Sequence, residues 1–140
     1  MALVEPARAL IRSGAHGHLV TLGDDGAPHV TMAWFDVDAA GTELAFATLF
    51  DQPKLVNLRR DPRAVVSFES GEVNAHGLRP YLVVHGTARV ERGGAPELLQ
   101  HLAHTYLGPD VTFPPMPDPP PGFVTRIRVE RVGGVGPWGG

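Results

Sequence analysis

The sequence predicts a mainly β domain, six antiparallel strands curled into a barrel and decorated by about three short helices. Three observations predict it. Runs of alternating apolar and polar residues recur along most of the chain, the period of half-buried strands. Short turns rich in Gly, Asp and Ala separate those runs through the first half, the chemistry of antiparallel hairpins. Only three stretches carry helix signals, and at 140 residues the chain is one domain with room for a single core.

The elements follow in order. Glu5 to Ser13, within an N-terminal segment 1–14, reads as a short helix with Pro6 early and Gly14 just past its end. Leu19 to Leu22 is a strand, and Gly23-Asp-Asp-Gly26 is a hairpin turn. His29 to Asp38 reads as one long strand, Ala39 to Thr42 as a second turn, and Glu43 to Phe50 as the third strand of a meander. A short helix follows from Pro53 until Asp61-Pro62, because the residue before a proline is pushed out of the α region. Arg63 to Glu69 sets Ala64, Val66 and Phe68 on one face and Val65 and Ser67 on the other. Leu82 to Glu91 is the fifth strand, and Gly86 within it marks a bulge or a close backbone approach. Pro96 to Leu107 is the clearest helix, with Leu98, Leu99, Leu102, Tyr106 and Leu107 in one stripe. Residues 108–122 hold seven prolines and cannot form regular structure; such a loop is a lid, a contact arm or disordered. Phe123 to Val132 is the sixth strand, and Gly133 to Gly140 reads as a flexible glycine-rich tail.

Composition excludes several classes of function. The chain has no cysteine, so disulfides, zinc–thiolate sites and thiol nucleophiles are all absent. The formal net charge is −3 with scattered basic residues, which argues against nucleic acid binding. No apolar run has the length of a membrane span, and Glu5, Arg8 and Arg12 interrupt any leader-like start, so the expectation is a cytoplasmic protein.

The segment with the most chemistry is 48–63. Pro53 fits the first turn of a helix, and Lys54 and Asn57 lie three residues apart on one face of its opening turns. Free N–H groups, a positive helix end, an ammonium and an amide make an anion site; the bland alternative is a solvated lysine on a connecting helix. Seven histidines (16, 18, 29, 76, 85, 101 and 104) raise a metal site, but no ligand set at familiar spacing completes one, and none is expected. There is no Gly-x-Ser-x-Gly elbow and no dinucleotide fingerprint opening a helix. Arg126 and Arg128 read as a solvated strand face.

Three motifs, in order, carry a family resemblance: Pro28-His-Val-Thr-Met-Ala-Trp-Phe35, Lys54-Leu-Val-Asn-Leu-Arg-Arg-Asp-Pro-Arg63, and the end Arg131-Val-Gly-Gly-Val-Gly-Pro-Trp138. From Gly17 to Trp138 the chain resembles the pyridoxamine 5'-phosphate oxidase-like proteins, which have an FMN-binding split β-barrel. Within them it is most similar to the branch of reductases using the deazaflavin coenzyme F-420 (8-hydroxy-5-deazaflavin). The resemblance implies a ring groove between two subunits, against the second and third strands. It implies that His29, Thr31, Met32 and Trp34 line one side, with backbone groups of Thr31 and Met32 at the pyrimidine edge and Trp34 near the ring. It places Thr48 and Leu49 along the ring or phosphate, Lys54 and Asn57 on the phosphate, and Trp138 near the partner's groove. Two positions depart from the pattern. His29 stands where FMN-using oxidases carry arginine, which argues against pyridoxamine phosphate oxidation. Asp51 stands where many deazaflavin-binding members carry a basic residue.

What the resemblance implies is an F-420-dependent oxidoreductase passing a hydride to a small conjugated acceptor, working as a homodimer. No catalytic acid, base or nucleophile is expected, since such cofactors supply the reactivity themselves. The alternatives are an FMN-binding oxidoreductase of the same fold, or a non-catalytic carrier of flavin or haem.

Overall fold

In the computed structural model, which describes residues 1–139, three helices accompany seven strands. They are α1 (Glu5–Arg12), β1 (Gly17–Leu22), β2 (Pro28–Ala33), β3 (Asp36–Val37), β4 (Glu43–Thr48), α2 (Pro53–Arg60), β5 (Arg63–Glu69), β6 (Tyr81–Arg92), α3 (Ala95–Tyr106) and β7 (Phe123–Val135). All neighbours are antiparallel, in the order β2-β1-β5-β6-β7-β4-β3. The sheet's two edges, β2 and β3, are joined in the chain by Trp34-Phe35 alone, so the sheet must curl until its edges meet. That is the split barrel the sequence predicts, with one more strand.

The extra strand comes from a corner. His29 to Asp38, read as one strand, breaks at Trp34-Phe35 into β2 and β3. Phe35 turns inward, buried edge-on against Phe46 (5.4 Å) and Phe68 (5.5 Å). Gly17 opposite leaves the room it needs: a Cβ there would lie 2.3 Å from the Phe35 ring. On α3, Tyr106 fastens the corner, its hydroxyl accepting from the Phe35 N–H at 3.1 Å and donating to the Ala15 carbonyl at 2.7 Å. Alternation of apolar and polar residues continues through a corner, so periodicity alone does not reveal it.

The core fills the barrel with Leu19, Phe46, Val66, Phe68, Val84 and Ile127, capped by Ile11 from α1 and by Leu55 and Leu58 from α2. At roughly 1.5–3 kcal/mol for each fully buried large side chain, this core is the main stabilising term. Gly86 does mark a bulge: the β6–β7 register slips at His85/Gly86, and a Cβ on Gly86 would meet the Arg128 carbonyl at 2.2 Å.

Two further expectations are corrected. Over residues 133–139 the glycine-rich end is not a flexible tail, because β7 runs on to Val135 and pairs Gly133, Gly134 and Val135 with Val83, Leu82 and Tyr81; Gly140 lies outside the described residues. Trp138 then folds back into the core cluster and donates its indole N–H to the Tyr81 carbonyl at 3.1 Å. Leu107 lies just past α3 and is exposed, and the buried residues of the helix are Ala95, Leu102 and Ala103. Among the described residues, no helix is long and apolar enough to cross a membrane.

Candidate functional site

The β3–β4 pairing sets Asp36 opposite Ala45 and Val37 opposite Leu44. Continued upward, the same register would bring Trp34 to Ala47 and Met32 to Leu49. No ladder forms there, because the corner sends β2 to the far edge of the sheet. The gap is a cleft of about 460 Å³, lined by Met32, Ala33 and Trp34 on one wall and by Ala47, Thr48, Leu49 and Phe50 on the other. Gln52 and Lys54 from the start of α2, Leu99 from α3, Phe113 and His16 complete it. As the edge strand, β2 pairs on one side only, so its outer N–H and C=O groups are free to meet a ligand.

Lys54 is the electrostatic centre of this cleft. It is 8% exposed, among the most buried polar residues, and lies over the Phe46 ring with its ammonium 5.2 Å from the centroid. Desolvation pushes its pKa below the ordinary lysine value. Among the described residues it has no ion-pair or hydrogen-bond partner. The alternative of a solvated lysine is thereby overturned: α2 turns this residue inward, with its ammonium over the Phe46 ring. A buried cation without an anion is costly, and an incoming phosphate or carboxylate would remove that cost. Thr48 adds a second unanswered group, a buried hydroxyl with no hydrogen-bond partner.

Asp51 does not oppose an anion here. Its carboxylate accepts from the Arg59 guanidinium at 3.0 and 3.1 Å and from the Gln52 N–H, and it lies outside the cleft lining. Arg59 is occupied by that pair and by the Phe123 ring.

The opposite wall is aromatic. Trp34 stacks on Tyr106 (5.2 Å between centroids, 10° between planes) and meets Phe113 at 5.3 Å. Phe113 comes from the proline-rich segment, which is neither loose nor distant. Gln100 on α3 holds it, donating to the Val111 carbonyl at 2.8 Å and accepting from the Phe113 N–H at 3.0 Å.

Of the residues singled out in the sequence, Met32, Trp34, Thr48, Leu49 and Lys54 come together in this cleft. His29 and Asn57 line an adjoining groove that shares Gln52 with it. There the buried Asn57 amide donates to the Thr21 hydroxyl at 3.1 Å and accepts from Arg60 at 3.1 Å, so it is already engaged within the chain. Thr31 pairs with Leu19 across β1 and lines neither groove; its hydroxyl is buried without a partner. Trp138 lines neither and belongs to the core. Sequence reasoning missed His16, Gln52, Leu99 and Phe113. For Phe113 the available signal was a large aromatic inside an otherwise proline-rich segment.

The arrangement fits a phosphorylated planar cofactor: an aromatic wall of Trp34 and Phe113, a strand edge with free backbone groups, a buried ammonium without a partner among the described residues, and an orphaned hydroxyl. Residues 3–136 match the family model described as pyridoxamine 5'-phosphate oxidase. No curated protein sequence matches the chain. Among solved structures, an F-420 reductase superposes with a TM-score of 0.70 at 23% identity, covering 90% of this chain and 94% of its own. A conserved hypothetical protein from Mycobacterium tuberculosis gives 0.69 at 26% identity, over 96% and 82%. A heme binding protein from Mycobacterium smegmatis gives 0.66 at 21%, over 94% and 52%. Likeness at this level establishes a common fold.

Proposed function

The chain belongs to the pyridoxamine 5'-phosphate oxidase family, and from that premise we propose that it is an oxidoreductase using coenzyme F-420, with FMN as the alternative. The observation that carries the reading is Lys54, a buried ammonium without an anion, on the first turn of α2 in a cleft lined by Trp34 and Phe113. Lys54 holds the cofactor phosphate by a charge-assisted bond. Thr48 supplies a hydroxyl, the free edge of β2 reads the polar rim of the ring, and Trp34 and Phe113 form the wall against which planar groups lie. Bound there, the cofactor supplies the hydride for a small conjugated acceptor. The protein supplies orientation and keeps water from the ring faces. His29, in place of an arginine, favours the deazaflavin over FMN, as does the likeness to a reductase of that coenzyme. The working unit in this reading is a cytoplasmic homodimer with the partner covering the open side of the cleft.

Fluorescence titration of the purified protein with F-420 and with FMN tests the reading, alongside an absorption spectrum with each. F-420 should bind more tightly. Tight FMN binding with no response to the deazaflavin would move the assignment to FMN. A Soret band with added haem and no response to either ring would replace it by a haem carrier.

A further inference from the structure

We propose that His16 is the catalytic proton donor of this site, receiving the carbonyl oxygen of the acceptor; the proposal rests on the hydride-transfer reading above. When a hydride adds to the β-carbon of a C=C–C=O acceptor, the π pair moves to the α-carbon and oxygen, leaving an enolate. A proton must follow, and that enolate charge must be held until it arrives. Among the described residues lining the cleft, the side chains bearing N–H or O–H groups are His16, Trp34, Thr48, Gln52 and Lys54, and an indole N–H gives up no proton near neutrality. Hydroxyls and amides do not give up a proton near neutrality, and Lys54 serves the cofactor's anion. Imidazole is the side chain whose ordinary charge change falls between pH 5 and 8.

The geometry holds His16 ready for that role. The Tyr106 hydroxyl donates to the carbonyl of Ala15 at 2.7 Å, fixing the backbone one residue before it. Gly17, one residue after, is wedged beneath the Phe35 ring. The imidazole lies edge-on to the Tyr106 ring at 5.4 Å, and the other neighbour of that ring is Trp34, stacked at 5.2 Å. His16 and Trp34 therefore share Tyr106 as a neighbour and line the same cleft, which sets the imidazole within the space open to an acceptor. Among the described residues neither ring nitrogen takes part in a hydrogen bond within the chain, so both are free for a ligand. The charged and titratable groups facing it are Lys54 within the cleft, the Tyr106 phenol, and His18, Glu69 and Arg79 in the shallow groove on its other side. Glu69 and Arg79 pair with each other at 3.6 Å.

The step balances. With a bound reduced cofactor supplying the hydride to the β-carbon, His16 would give an N–H proton to the enolate oxygen, and the acceptor would gain two hydrogens overall. Neutral His16, exposed at the cleft mouth, recovers its proton from solvent.

The test uses the full chain loaded with cofactor, comparing the wild type with His16→Gln and His16→Asn. Binding of 4-nitrophenolate, an oxyanion probe followed by its visible absorbance, should weaken at least tenfold in both variants. The cofactor dissociation constant should stay within twofold. Reduction of 2-cyclohexenone should slow roughly a hundredfold, the usual scale of general acid catalysis. Unchanged phenolate binding, or a rate of 2-cyclohexenone reduction that survives both substitutions, overturns the role of His16 while leaving the cofactor site intact. Wild-type protein that takes up neither F-420 nor FMN overturns both readings together.

Discussion

Lys54 carries a conflict between folding and binding. The folded chain buries its ammonium over Phe46 with no anion beside it, and desolvation lowers its pKa from the ordinary 10.5. Between the lowered and the ordinary value the unfolded chain binds more protons than the folded one, so the stability of the unloaded protein rises with pH across that window and is lowest, for this group, below it. Lys54→Met should therefore behave in two opposite ways. It should raise the stability of the unloaded protein by on the order of 1 kcal/mol, with a gain of a few degrees in Tm, and abolish that pH-dependent rise. It should also weaken cofactor binding by about 1.5–3 kcal/mol, the range for a hydrogen bond to a charged group. Thermal scans from pH 8 to 11 and a fluorescence titration check the two halves; a Lys54→Met protein that is less stable yet binds normally would make the lysine structural. Asn57 predicts a different balance. Its amide is committed to Thr21 and Arg60, so Asn57→Ala should cost about 1–3 kcal/mol of stability in urea denaturation and less than Lys54→Met in binding. Both residue types were legible in the sequence as anion chemistry. Their burial was not, because it depends on which side of α2 meets Phe46 and Thr21, and those partners come from distant strands.

Elements were legible where local chemistry determines them. Pro53 opens α2, Asp61-Pro62 closes it, and Gly86 marks the bulge in β6. What escaped the sequence is decided by contacts remote in the chain. The corner between β2 and β3 depends on Gly17, Tyr106 and the core rings that receive Phe35. The length of β7 depends on β6 offering Tyr81 to Val83 as partners for residues whose glycines suggest a loop. The corner yields two predictions. Gly17→Ala should destabilise by about 1–3 kcal/mol, because the new Cβ overlaps the Phe35 ring and Phe35 has no free space to enter. Tyr106→Phe keeps the ring against Trp34 and His16 but removes the hydroxyl that joins Ala15 to Phe35. It should cost about 1–3 kcal/mol by urea denaturation, since it leaves the Ala15 carbonyl and the Phe35 N–H unanswered. It should also loosen the aromatic wall, visible as altered Trp34 fluorescence. A Tyr106→Phe protein with unchanged stability would show that the corner holds without its fastener.

At the scale of the whole molecule, the barrel's outer face carries exposed apolar side chains in register. Pairing aligns Val30, Val20, Val65 and His85 in one cross-strand row, and Met32, His18, Ser67 and Val83 in the next. Val30 and Met32 are exposed at 64% and 55%, and Tyr81 and Val135 extend the apolar surface at the far side of the sheet. Solvent-facing valines and a methionine in register on one sheet face are characteristic of surface that another protein covers. A second copy is the commonest cover for such a face, and a two-fold contact would meet like with like. The row also reaches the site, because Met32 belongs both to this face and to the cleft wall. A partner seated over β2 would therefore close the open side of the cleft, so dimerisation and cofactor binding should be coupled. Sedimentation at micromolar concentration should give twice the mass of one chain. Val30→Lys combined with Val65→Lys places like charges at the centre of the contact and should yield a folded monomer whose cofactor affinity falls at least tenfold. A monomeric variant that binds cofactor with full affinity would mean that each cleft is complete within its own chain, and that the apolar face serves assembly alone.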